Sequence, residues 1–278
     1  MRSLKVSLLP LASSLIASCA GLVTSESWPI QTYETVSFES PQLSITKSGS
    51  PLANGLIFYT PAHTNSAGNI ITDDGDLVWS TPPGIGRINN LRVQKLNGKP
   101  VLTFWNGTGS ADPSESGHGF GSVNILDDTY TEIYRICPDL NLVAPNGLNI
   151  TCGADIHESY ITDRGSILVT AYNTTGADLT SVGGPEKGYV WDSLIFEIDI
   201  KTQKILFHWS ALENVPVSDT HITISGVNGN GTASSPFDWC HLNSIQPIGD
   251  SYLINSRHLW ASYLVGPNGT ITWAIKVG

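Results

Sequence analysis

The sequence predicts an all-β protein: a β-propeller of four-stranded antiparallel blades. Three segments repeat one another, Asn90 to Asn106, His157 to Asn173 and His241 to Arg257. Each carries a glycine eight residues after its start (Gly98, Gly165, Gly249), preceded by alternating apolar residues and followed by a second apolar strand, which is a hairpin signature. A second hairpin pattern ends in an aromatic residue at Trp79, Tyr134, Trp209 and Trp273. Two hairpins per repeat, with repeat starts 67 and 84 residues apart, read as propeller blades. No 12-residue window shows helical periodicity with caps at both ends.

Taken in order, the chain opens with a signal peptide over residues 1–20. Arg2 and Lys5 precede an apolar run from Val6 to Ile16, too short for a membrane span, and Ser18-Cys19-Ala20 supplies small residues for cleavage. A lipoprotein site at Cys19 is the second reading of the same stretch. Residues 21–50 are Ser/Thr-rich with alternating apolar positions, a strand-bearing arm, and blade material fills 51–278. The glycine-rich run Gly117-His118-Gly119-Phe120-Gly121 is followed by a strand, Ser122 to Leu126. Without a helix it lacks the anion-binding terminus of a phosphate loop, so it reads as a flexible interblade turn. Ser218 to Phe237, rich in Gly, Ser and Asn, is a long loop of the kind that lies near a binding face.

Loss of the leader leaves 12 basic against 24 acidic residues, a net charge of −12. That balance argues against nucleic acid or an anionic membrane as partner. Sequons at Asn106, Asn149, Asn173, Asn230 and Asn268 and the leader point to a secreted glycoprotein. In an oxidising compartment Cys137 and Cys152 are the natural disulfide, closing a loop worth roughly 3 kcal/mol. Cys240 is left as a buried, inert thiol, because it and His241 are strand neighbours facing opposite ways.

Equivalent positions in a propeller share a radius, so His157, His241 and Asn90 should form one ring and Asn106, Asn173 and Arg257 another. In an acidic protein a channel-facing Arg257 calls for an anion. His63, His118, His208 and His221 fall outside these positions and read as ordinary polar residues. His157-Glu158 begins like a helical zincin motif, but Ile161 stands where the second histidine belongs and the segment is a strand. No metal site, no cofactor and no nucleophile elbow is expected from the motifs.

Three runs together resemble the arylsulfotransferase family, a group of six-bladed propellers. They are Asp155-Ile156-His157-Glu158 with Thr170-Ala171-Tyr172; Phe196-Glu197-Ile198-Asp199 with Leu206-Phe207-His208-Trp209; and Cys240-His241-Leu242-Asn243-Ser244-Ile245 with Ile254-Asn255-Ser256-Arg257-His258. The resemblance covers Pro51 to Gly278, about half of the family's domain, or three to four blades, and is of the fungal secreted type. It implies sulfuryl transfer from a phenolic sulfate ester to a phenol through a covalent histidine intermediate. His157, His241 and Arg257 match positions that contact the sulfuryl group and assist proton transfer; His258, next to Arg257, should face away. The family's nucleophilic histidine lies in a later blade, so the chain is expected to be a C-terminally truncated member, inactive alone and open to self-association through an unclosed edge. The alternative is a non-catalytic secreted propeller that binds a small aromatic anion or a partner protein.

Overall fold

The computed structural model describes residues 30–34, 39–50, 53–61, 67–109 and 117–277. The expected leader and His63 lie outside them. Residues 1–44 and 45–278 are separate compact units. In the first, β1 (Ile30–Gln31) pairs antiparallel with β2 (Ser40–Pro41).

The second unit is a succession of antiparallel meanders. A three-stranded sheet of β3 (Ile57–Tyr59), β4 (Asn69–Ile71) and β5 (Leu77–Ser80) is followed by three four-stranded sheets. These are β6 (Arg87–Leu96), β7 (Lys99–Gly109), β8 (Gly119–Leu126) and β9 (Glu132–Ile136); β10 (Ser159–Ile161), β11 (Ser166–Ala177), β12 (Gly188–Asp199) and β13 (Ile205–Ser210); and β14 (Leu242–Ile248), β15 (Ser251–Ser256), β16 (Ala261–Val265) and β17 (Ile271–Lys276). The three sequence repeats are the first hairpins of these sheets, and Trp79, Tyr134, Trp209 and Trp273 all lie on last strands. The turn glycines behave as their spacing requires. Asn97 and Gly98 both have positive φ, 51° and 77°, which is the two-residue turn whose twist suits a hairpin.

Side-chain alternation then packs each sheet against the next. On β11, Ile167, Val169 and Ala171 join Trp105, Val123 and Ile125 of the preceding sheet. Leu168 faces the other way, into a core with Ile245, Tyr252, Ile254 and Tyr263 of the following sheet. A third cluster joins Ile70 of the first sheet to Leu102 and Phe104 of the second. Strands buried on both faces lose the polar half of the usual alternation, as β8 and most of β12 do. Polar stitches hold the first strands side by side: Gln94 donates to the Ser159 carbonyl at 3.1 Å and accepts from the Ile161 amide at 2.8 Å. Successive four-stranded sheets packed face to face, first strands adjacent, are the blades of a propeller. On the last sheet Trp273 and Ile275 remain exposed.

The structure corrects one element. Gly117-His118-Gly119-Phe120-Gly121 is not a flexible turn, because strand β8 starts at Gly119 and His118 and the three residues after it are buried. Gly119 and Gly121 sit where β8 passes under Trp105, so close that a Cβ on Gly121 would meet the Asn106 carbonyl at 2.4 Å. The glycines serve tight packing. Cys137 and Cys152 are bridged, and Cys240 is free and buried. Ser218 to Phe237 contains no strand, as expected, but the end of a 3-10 turn at Val217–Asp219 and isolated bridges at Ser225–Gly229, Thr232–Ser235 and Val190–Phe237.

Candidate active site

His241 immediately precedes β14 and His157 stands two residues before β10, and the adjacency of those strands brings their rings together. The Nε2 atoms are 3.2 Å apart. On its far side each ring is held by a carboxylate two or three residues upstream. His157 Nδ1 lies 2.6 Å from Asp155 Oδ2, and His241 Nδ1 lies 2.5 Å from Asp238 Oδ2. The short spacing is possible because the chain bends sharply there: His241 has φ +54°, a left-handed conformation that histidine adopts more readily than bulkier residues.

His118 completes the cluster from β8's approach. Its Nε2 is 3.1 Å from Asp238 Oδ1 and its Nδ1 is 3.9 Å from Asp155 Oδ1. Despite that proximity neither His118 nitrogen nor Asp238 Oδ1 makes an aligned hydrogen bond. Tyr172 lies against the His118 ring with centroids 3.7 Å apart, and Trp191 backs it at 5.3 Å. His258 Nδ1 bonds the Asp238 carbonyl and approaches Oδ2 at 3.7 Å.

Burial and charge divide the imidazoles. Burial opposes protonation of His157, but the Asp155 and Asp238 carboxylates outweigh it and raise its pKa above the ordinary histidine value. His241, more completely enclosed, goes the other way: burial and the neighbouring His118 and His157 outweigh Asp238 and lower it. Burial likewise works against ionisation of Asp155 and Asp238, yet their histidine partners keep both below the usual carboxylate range. The two facing imidazoles are therefore shifted in opposite directions, His157 toward the protonated form and His241 toward the neutral one. Burial pushes the Cys240 thiol up to about 12, consistent with an inert group.

Arg257 is exposed at the rim, its amide bonded to the His241 carbonyl at 3.0 Å, and its charge acts on His157. Among the described residues no group pairs with its guanidinium.

The expected rings are only partly realised. His157 and His241 converge, but Asn90 does not join them; its amide braces the Ile156 and His157 carbonyls at 3.0 and 2.7 Å. Asn106 and Asn173 do not form a ring with Arg257. Asn106 donates to the Ile85 carbonyl just before β6 and Asn173 accepts from the Val143 amide in the connection between β9 and β10, because β7 and β11 run on beyond these positions whereas β15 stops at Ser256. His118 and His258, set aside in the sequence, belong to the cluster: His118 because its loop is packed, His258 because the chain turns after β15. His208 and His221 lie outside it, the first tilted against Phe196 and the second stacked on Trp260. Asp155 and Asp238 were not singled out from the sequence, although an Asp two or three residues before each repeated His is the signal that could have found them.

The fold and this cluster define an all-β propeller protein with a buried histidine–aspartate site at the start of its inner strands. The arylsulfotransferase (ASST) family model matches residues 92–276, and the chain belongs to that family. Comparison with curated protein sequences finds no match. Among solved structures, the Dos1 propeller is similar at 8% identity and a TM-score of 0.43, covering 80% of this chain and 46% of that one. A protein of unknown function from Bacteroides caccae aligns at 10% identity and a TM-score of 0.27, covering 86% and 85%. This chain thus spans less than half the length of the Dos1 propeller chain it matches.

Proposed function

We propose that the cluster is an aryl-sulfate site serving sulfuryl transfer to a phenol. The observation that carries this reading is the 3.2 Å approach of two Nε2 atoms, each imidazole anchored by its own buried carboxylate. Arg257 at the rim anchors the sulfuryl oxygens with a permanently charged fork. His157, the ring shifted toward protonation, gives its Nε2 proton to the departing phenolate. His241, the ring kept neutral, takes a proton back from the incoming phenol. Environments that push two titratable groups apart mark such acid and base roles. The imidazole that accepts sulfur is not assigned to these three residues, so binding tests the reading and turnover does not.

The same reading places the protein outside the cytoplasm. The Cys137–Cys152 bridge supports an oxidising compartment, and among the described residues no helix is long and apolar enough to cross a membrane.

Titration of the chain with 4-nitrophenyl sulfate, 4-nitrophenol and inorganic sulfate is the test. The ester should bind more tightly than either part, and Arg257→Ala should weaken it at least about tenfold, the loss of one charge-assisted contact. Equal binding of the ester by wild type and Arg257→Ala would sink the assignment.

A further inference from the structure

We propose that His118, Asp238 and His241 form a binding site for one divalent transition-metal ion of the zinc class. The three residues are buried, and their donor atoms lie within 4.8 Å of one another. They come from β8's approach, the end of the long loop and the start of β14, so the site exists only once three segments of the chain have met.

The unsatisfied atoms are what call for an ion. Burying a polar atom without an aligned hydrogen bond is costly, and His118 Nδ1, His118 Nε2 and Asp238 Oδ1 are all in that position. His118 Nε2 and Asp238 Oδ1 lie 3.1 Å apart without the alignment of a hydrogen bond. Two metal bonds of about 2.0–2.1 Å at a tetrahedral angle set their donors about 3.3 Å apart, so the spacing suits two ligands of one ion. His241, whose Nδ1 lies 2.5 Å from Asp238 Oδ2, is the third ligand, its donor within 4.8 Å of the other two. His258 flanks the same carboxylate at 3.7 Å, and Tyr172 and Trp191 wall the site against water.

A second group, His118 with Asp155 and His157, shares His118 and so competes for the same ion. Asp155 is the poorer ligand because its oxygens are already taken. Oδ1 accepts from the Gly119 amide at 2.9 Å, and Oδ2 accepts from the His157 amide and meets the His157 ring. Two nitrogen donors and one oxygen also disfavour Ca²⁺ and Mg²⁺, which take shells of oxygen. An ion on His241 Nδ1 moves that ring's proton to Nε2, the atom facing His157. Zinc-class ions should then inhibit sulfuryl transfer, a consequence that rests on the aryl-sulfate reading, whereas the site itself does not.

Calorimetric titration of chelator-treated protein with Zn²⁺, Ca²⁺ and Mg²⁺ reads the site without any transfer assay. The expected result is one Zn²⁺ per chain at micromolar affinity or tighter, and no binding of Ca²⁺ or Mg²⁺. Asp238→Asn and His118→Gln should bind at least about 100-fold more weakly with unchanged circular dichroism, and Asp155→Asn should stay within about tenfold of wild type. Absence of stoichiometric Zn²⁺ binding, wild-type affinity in His118→Gln, or an equal loss in Asp155→Asn overturns the proposal. Should the variants misfold, X-ray absorption of the Zn²⁺-loaded wild type decides: two or more imidazole nitrogens at about 2.0–2.1 Å are expected, and a shell without imidazole overturns the site.

Discussion

His157 Nε2 lies 3.2 Å from His241 Nε2, across 84 residues of sequence. The contact is made by side chains that each enter from the end of a blade's first strand, and each is fixed from behind by a carboxylate on the same segment. Asp155 does more than orient one ring, since it also accepts from the Gly119 and His157 amides and so ties β8 to the site. Asp155→Asn should therefore weaken 4-nitrophenyl sulfate binding roughly 10- to 100-fold, the worth of a hydrogen bond to a charged group. Tryptophan fluorescence titration reads the change; an unaltered dissociation constant would mean that the dyad has no part in binding.

Asp192 on β12 makes stability depend on pH in an unusual direction. It is buried, accepting from Ser210 Oγ at 2.7 Å and the Leu212 amide at 3.0 Å, and burial raises its pKa to about 6. Below the unfolded value near 4 both states are protonated. Between there and about 6 the folded chain holds the extra proton, so stability falls as pH rises through this window, by about 3 kcal/mol in all. Denaturant midpoints from pH 4 to 7 should lose that downward component in Asp192→Asn, and identical profiles would refute it.

Gly121 tests the packing of β8 beneath Trp105. A Cβ there would lie 2.4 Å from the Asn106 carbonyl and 2.7 Å from the indole, on a strand whose amide and carbonyl also bond Ala154. Gly121→Ala should lower stability by roughly 1–3 kcal/mol, the usual cost of overpacking. Gly226, with nothing within 4 Å, is the control and should tolerate alanine. Equal thermal midpoints for the two variants would contradict the close approach.

The five sequons are not equivalent in the folded chain. Asn149, Asn230 and Asn268 are exposed, whereas Asn106 donates both to the Ile85 and Arg87 carbonyls and Asn173 donates to Thr175 Oγ1. A glycan bonds through that same amide nitrogen. Glycopeptide mass spectrometry of protein from a secretory host should find sugar at the first three, with Asn106 and Asn173 bare; full occupancy of Asn106 would count against this.

The sequence by itself determined the blades. Hairpin turns at Asn97-Gly98, Gly165 and Gly249, the period-two alternation and the aromatic ends are local rules, acting over a few residues, and each appears where it was read. It also determined that His157 and His241 are equivalent, because they hold one position in a repeated unit, and that Cys137 pairs with Cys152 within one loop. What it could not determine is which side chains meet once the blades pack. Asn90 has the repeat position but spends its amide on backbone, since β6 slips register between Asn89 and Arg92. His118 has no repeat position and still lies at the centre, because a glycine-bounded approach lets β8 run close beneath Trp105 and carries the ring between two aspartates. Periodicity fixes the face on which a residue lies within its own sheet; the partners across sheets depend on how closely two backbones can approach, and only the folded chain decides that distance.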